Sequence, residues 1–168
     1  PVEYLGNLVL LIVGGNDTFV NEGTINIEHA NSSAIKLGSG SDTFTNSGTI
    51  DVGYSNCAAI DLGSDSTSSN ADGYKGMGDD TFVNSGTINI QTVNNQGVMM
   101  GSGADRFENS GTIYIGWACN AGIDMGTGDY DDDYFKNTKE GVIDIVRSNR
   151  SGISLGSMSY DDNLTGND

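Results

Sequence analysis

Residues 80–90 read DTFVNSGTINI, and this phrase decides the fold because the chain repeats it. Four other stretches share its pattern of Asp, Phe, Asn, Gly and paired apolar residues. They are DTFVNEGTINI at 17–27, DTFTNSGTIDV at 42–52, DRFENSGTIYI at 105–115 and DYFKNTKEGVIDI at 133–145. Successive copies are 25 residues apart, or 25 with an insertion. Self-similarity at a period of this length is typical of solenoids and other repeat architectures.

Each copy predicts short β-strands and no helix. Apolar and polar residues alternate, as in Ile25-Asn26-Ile27, which is the period of a strand with one buried face. A second apolar pair ending in glycine follows each phrase: Ile35/Leu37, Ile60/Leu62, Val98/Met100, Ile123/Met125 and Ile153/Leu155. Strands this short are unstable alone and must stack. The sequence predicts an all-β parallel β-solenoid, expected to be a right-handed β-helix, with about six turns of about 25 residues.

The whole chain, residues 1–168, is predicted to form one solenoid domain. The repeats are expected near 17–41, 42–63, 76–104, 105–132 and 133–160. An insertion of small polar residues at 64–75 predicts a loop that bulges from the coil. Incomplete turns are expected at both ends. Head-to-tail stacking of copies would continue the columns across a junction, so the chain itself is the first expected partner.

Stacked copies place like residues in columns along the axis. We expect an inward aromatic column and a column of side-chain amides that hydrogen-bond one another. The aromatic column is Phe19, Phe44, Phe82, Phe107 and Phe135, and the amide column is Asn21, Asn46, Asn84, Asn109 and Asn137. The glycines at the following corner are predicted to need a positive φ. They are Gly23, Gly48, Gly86, Gly111 and Gly141.

A glycine-rich acidic turn precedes each phenylalanine, as in GSGSDTF at 38–44 and GSGADRF at 101–107. These turns resemble the calcium-binding nonapeptide of the RTX family, in which glycines allow a tight turn and Asp supplies oxygen ligands. The resemblance implies calcium as a cofactor, with these ligands: Asp42, Asp80, Asp105 and Asp133. The RTX motif repeats back to back, however, whereas here it occurs once per coil. Capping of the turn by Asp is therefore the other interpretation.

A longer period of 63 residues is superposed on the first. GYSNCAAIDLG at 53–63 matches GWACNAGIDMG at 116–126. Tyr54 and Trp117 are therefore expected two turns apart on one face, either as contact points for a ligand or as rings that pack a corner. Cys57 and Cys119 are also two turns apart, which is too far for a disulfide, so buried thiols are expected.

The phrases AIDLG at 59–63 and NSGTI at 84–88 resemble the repeats of autotransporter passenger domains and related bacterial surface adhesins. This resemblance implies a structural or adhesive β-helix outside the cell or on the bacterial surface. Two functions stay open on this basis. One is a fibre built by axial stacking, and the other is an adhesin that binds a surface glycan or protein.

Composition and charge exclude other classes. The chain has 7 Lys and Arg against 23 Asp and Glu, a net charge of −16, so binding to nucleic acid is not expected. Insertion into a membrane is not expected because the most apolar run, residues 8–13, is far shorter than a membrane helix. An enzyme is not expected either; the remote alternative is a polysaccharide-active enzyme, a class that right-handed β-helices also host and that uses clustered carboxylates. Outward carboxylates are predicted on the strands, at Asp51, Asp61, Asp124 and Asp144. They belong to the repeat itself, whereas an active site normally interrupts a repeat.

Overall fold

The computed structural model describes residues 10–12, 14–63, 78–126 and 132–156. This part of the chain contains strands and irregular connections but no helix, and hence none long and apolar enough to span a membrane. In chain order the strands are β1 (Leu10–Leu11), β2 (Thr18–Asn21), β3 (Thr24–Ala30), β4 (Ile35–Lys36), β5 (Thr43–Asn46), β6 (Thr49–Ser55), β7 (Ile60–Asp61), β8 (Thr81–Asn84), β9 (Thr87–Val93), β10 (Val98–Met99), β11 (Arg106–Asn109), β12 (Thr112–Ala118), β13 (Ile123–Asp124), β14 (Tyr134–Asn137), β15 (Val142–Ile145) and β16 (Ile153–Ser154).

The strands form three parallel sheets in which each strand pairs with its counterpart one coil away. Sheet A has the order β1-β4-β7-β10-β13-β16, sheet B β14-β11-β8-β5-β2 and sheet C β15-β12-β9-β6-β3. The register joins like residues, so that Phe44 pairs with Phe19 on one side and Phe82 on the other. One continuous chain that winds three parallel sheets is a parallel β-solenoid. The predicted fold class is therefore confirmed.

Alternation of residue types sets the inward face of each strand. In β8, Phe82 and Asn84 are fully buried while Thr81 and Val83 are partly exposed. Sheet C contributes isoleucines to the same interior, as at Ile88, and sheet A contributes the apolar pairs that end in glycine. The three sheets thus enclose one narrow apolar core that runs along the axis.

The five phenylalanines stack in one column inside sheet B. Neighbouring ring centroids lie 4.6 to 4.8 Å apart, with interplanar angles of 2 to 12°. This spacing matches the distance between hydrogen-bonded strands, about 4.8 Å. The stack is therefore a direct result of the register, and it buries Phe44, Phe82 and Phe107 each between two other rings.

The corner glycines are present for a reason other than the one predicted. None of the five adopts a positive φ, so that prediction is wrong. A Cβ on Gly48 would lie 2.0 Å from the carbonyl oxygen of Gly23, and one on Gly86 would lie 2.1 Å from that of Gly48. Close approach of successive coils therefore requires glycine at Gly48, Gly86 and Gly111, whereas a Cβ on Gly23 would meet nothing within 4 Å. Positive φ values occur instead in the acidic turns, as at Gly38 (107°) and Gly40 (124°).

The predicted insertion at 64–75 lies outside the described residues, as do residues 1–9 and 157–168 of the two end turns. The strands on either side of the insertion still pair in register, since Ile60 of β7 is the partner of Val98 of β10. The insertion therefore does not break sheet A.

We expect Phe82→Ala to lower the free energy of unfolding by about 3–5 kcal/mol, because the change leaves a cavity in the middle of the stack. Val83→Ala is the matched control, since this neighbour faces outward and its truncation should cost less than about 1 kcal/mol. Urea denaturation followed by circular dichroism measures both. Equal losses for the two variants would contradict the stacked core.

Candidate functional site

A column of aspartates runs beside the phenylalanine stack, at the turn before each strand of sheet B. The backbone N–H of each aspartate donates to Oδ1 of the aspartate one coil further along. The N–O distances are 2.8 Å from Asp17 to Asp42, 2.7 Å from Asp42 to Asp80, 2.8 Å from Asp80 to Asp105 and 2.9 Å from Asp105 to Asp133. Each carboxylate thus caps the turn of the preceding coil.

The second oxygen of these carboxylates is poorly satisfied. Oδ2 of Asp42, Asp80 and Asp105 is buried without a hydrogen-bond partner in the described part of the chain. Burial raises the pKa of Asp80 to about 7 and that of Asp105 to about 8, against the opposing effect of the backbone hydrogen bond and with help from the neighbouring carboxylates. The pKa of Asp42 is raised for the same reasons. The column therefore favours protonated carboxyls.

The four predicted calcium ligands lie in this column, where their Oδ1 atoms serve as caps. Across residues 10–12, 14–63, 78–126 and 132–156, no group of three or more His, Cys, Asp or Glu side chains is placed to hold a metal ion. The contacts correspond to the capping interpretation, and calcium binding stays a prediction.

The five asparagines form a second polar column, at the corner between sheets B and C. Nδ2 of each of the first four donates to Oδ1 of the asparagine in the next coil, at 2.7 or 2.8 Å. For Asn84, Nδ2 also lies 3.3 Å from the carbonyl oxygens of Gly86 and Thr112. One side chain that both donates and accepts therefore satisfies its own column and the corner backbone.

Tyr54 and Trp117 lie in one outward column at the end of sheet C, and both pair with Thr92 between them. Each ring has a cover. Tyr54 stacks on His29 with centroids 4.6 Å apart, and the Arg147 guanidinium lies 4.2 Å from the centre of Trp117. Both side chains are half-buried. This row of stacked and cation-capped rings was not evident from the sequence beyond the two aromatic residues.

The outward face of sheet C also holds an open groove of about 380 Å³ that the sequence analysis missed. Its lining is Asn26, Glu28, Asp51, Val52, Gly53, Asn89 and Gln91. The sequence gives one indication of it. At the equivalent position of successive coils the residues are Glu28, Gly53, Gln91 and Gly116, so small and large residues alternate. We name this site the Gly53 groove.

Asp61 stands in the outward column of sheet A, between the core residues Ile60 and Leu62, yet it is only 3% exposed. Its Oδ2 lies 3.2 Å from both Lys36 Nζ and Ser33 Oγ, so an ion pair across coils holds this carboxylate. One other expectation needs correction. Cys57 and Cys119 are free thiols, as expected, but they are half-buried instead of buried because both lie at the corner that leaves sheet C.

The aspartate column predicts a solenoid that is more stable in acid. Because the pKa values in the folded state exceed the unfolded value, the neutral carboxyls stabilise the fold fully below that value, and this contribution is lost as the pH rises through about 7 and 8. The free energy of unfolding, obtained from thermal unfolding, should be a few kcal/mol larger at about pH 5 than at about pH 9, at roughly 1.4 kcal/mol for each pKa unit. Asp105→Asn should reduce this difference, and an unchanged pH dependence would contradict it.

Comparison with known proteins gives no match: no protein-family model, no curated protein and no solved structure matches the chain. The resemblance to autotransporter passengers therefore stays an expectation drawn from the repeat phrases. What the chain can do must follow from its columns, its outward face and the edges of its sheets.

Proposed function

We propose that this chain is an extracellular structural element, a rod-like β-solenoid that stacks end to end with further copies of itself. The placement outside the cell rests on the resemblance of the repeats to passenger domains. The end-to-end stacking rests on the described edge of the solenoid formed by β14, β15 and β16, which are the last strands of their sheets.

The observation that carries the proposal is the exposure of core columns at this edge. Ile153 is 39% exposed, whereas Ile123, its partner in the same column, is fully buried. Leu155 is 47% exposed, whereas Met125 in the equivalent position of the previous coil is 1% exposed. These side chains belong to the interior and lack a coil above them among the described residues. Covering them would remove apolar surface from water.

A second copy suits this edge because the columns repeat. Strand edges with unpaired N–H and C=O groups pair readily with another chain. A copy placed above would set its β1 over β16, because β1 lies one coil before the other strands of its own first coil. Leu10 of the added copy would then lie over Ile153, and the apolar column of sheet A would continue without a change of register. A contact of this kind is heterologous and does not close into a ring, so it builds a fibre.

Adhesion is the second candidate, and the outward row of Tyr54 and Trp117 favours it. Aromatic faces at a surface suit glycans and protein ligands alike. Retention of the chain on immobilised glycans or proteins, lost in Trp117→Ala with the fold intact, would support this role.

We expect Leu155→Lys to prevent fibre formation at concentrations where the unchanged chain assembles, with a critical concentration about tenfold higher or more. An added copy would have to bury an unpaired ammonium group, which is costly. Sedimentation velocity and electron microscopy of negatively stained samples measure assembly, and circular dichroism checks the fold.

Val20→Lys is the matched control for this experiment. Val20 is 58% exposed, and it belongs to an outward column that ends in Lys136, so a lysine fits there. This variant should assemble like the unchanged chain. Monodisperse monomers of the unchanged chain at every concentration, or normal assembly of Leu155→Lys, would refute axial stacking.

A further inference from the structure

The Gly53 groove spans three neighbouring strands of sheet C. Gly53 of β6 forms its floor, Asn26 and Glu28 of β3 lie on one side, and Asn89 and Gln91 of β9 lie on the other. The two outer strands are about 10 Å apart, twice the strand spacing. Glycine is required at the floor, because a Cβ there would lie 2.6 Å from the carbonyl oxygen of Glu28. The pit therefore follows from how the coils pack.

The chain contains a second pit of the same origin, and its own side chain covers that one. Gly116 is the equivalent of Gly53 in the 63-residue period, and a Cβ on it would lie 2.6 Å from the carbonyl oxygen of Gln91. The phenol oxygen of Tyr114 lies 3.4 Å from that same Cβ position. The tyrosine ring therefore lies along the strand and over the glycine.

Asp51 occupies the position of Tyr114 in the other copy. Both residues pair with Asn89, one from each side, so they belong to the same outward column. The aspartate side chain is too short to cover Gly53, so the groove stays open. A six-membered ring that carries a hydroxyl group is thus the shape that the chain itself places in the equivalent pit.

The lining provides hydrogen-bonding groups of both kinds. Carboxylates of Glu28 and Asp51 accept, while the amides of Asn26, Asn89 and Gln91 donate and accept. The Nδ2 atom of Asn89 donates to Oδ1 of Asp51 at 2.7 Å, which holds these two side chains in place. Planar amides and carboxylates at this spacing suit neighbouring hydroxyl groups on a ring.

The charge of the groove lining restricts the class of ligand further. The groove's described lining holds two carboxylates and no lysine or arginine, in a chain with a net charge of −16. Anionic ligands are therefore repelled. An apolar ligand would leave the amides and carboxylates without partners, which is costly.

From these observations we propose that the Gly53 groove binds one neutral pyranose ring of a carbohydrate. The ring lies over Gly53 as the Tyr114 ring lies over Gly116, and its hydroxyls bond to the amides and carboxylates on either side. This site is independent of axial stacking, because it lies on the outward face and not at an edge. With about twelve ligand atoms in contact, affinity for a single sugar lies in the millimolar range.

Ligand-observed saturation-transfer NMR tests the proposal, and it works whether the chain is a monomer or a fibre. The probes are the methyl glycosides of glucose, galactose and mannose, with glucuronate as the anionic probe. We expect signals from at least one neutral glycoside and none from glucuronate. Asp51→Tyr should weaken binding about tenfold or more, because a tyrosine there covers the floor as Tyr114 does in its own coil.

Tyr114→Phe is the matched control, since it alters an aromatic ring in the same column but outside the groove, and it should bind like the unchanged chain. Gln91→Ala, at an exposed position, tests the groove again should Asp51→Tyr disturb the fold. No signal from any neutral glycoside would overturn the proposal. So would equal binding by the two groove variants and the unchanged chain, or glucuronate binding as strong as that of the neutral sugars.

Discussion

The pairing of each strand with its counterpart one coil away is the constraint on which the rest of the molecule depends. Because this pairing is parallel and in register, the inward side chains of sheet B meet the same residue type above and below, Phe on Phe and Asn on Asn. Only groups that interact well with their own kind can fill such a column. Phenylalanine meets the requirement by stacking, and isoleucine by simple packing. Asparagine meets it because an amide is both a donor and an acceptor.

Aspartate meets the same requirement only in part, and this difference gives the solenoid its chemistry. A carboxylate accepts but cannot donate. Asp42, Asp80 and Asp105 each take the backbone N–H of the preceding coil with one oxygen and, among the described residues, leave the other without a hydrogen-bond partner. The turn gains a cap, while the column gathers charge in a buried place. Protonation is the response available to such a group. At neutral pH these buried carboxyls lower the stability of the fold, because a cap that suits one turn is repeated in every coil.

The fold could be predicted from the sequence because the 25-residue period and the alternation of apolar and polar residues can both be read from the repeated phrase DTFVNSGTINI. The predictions that the structure corrects concern residues whose environment is set by contacts with the adjacent coil. A glycine after Asn46 is equally expected for a positive φ or for close approach, and only the carbonyl of Gly23 decides between them. Asp61 is outward by alternation, yet it is buried, with its carboxylate held by Lys36 and Ser33. The Gly53 groove depends on the length of Asp51 compared with Tyr114, which no local pattern reveals.

The asparagine column has a direction as well as a composition. From Asn21 to Asn109, each amide donates toward the following coil, and from Asn46 to Asn137 each accepts from the preceding one. Aligned hydrogen bonds of this kind polarise one another along the chain of contacts. The column therefore carries a dipole along the solenoid axis, and the two ends of the axis have opposite partial charges. An inverted neighbour would bring two ends of the same partial charge together, so assembly along this axis requires all subunits to point the same way.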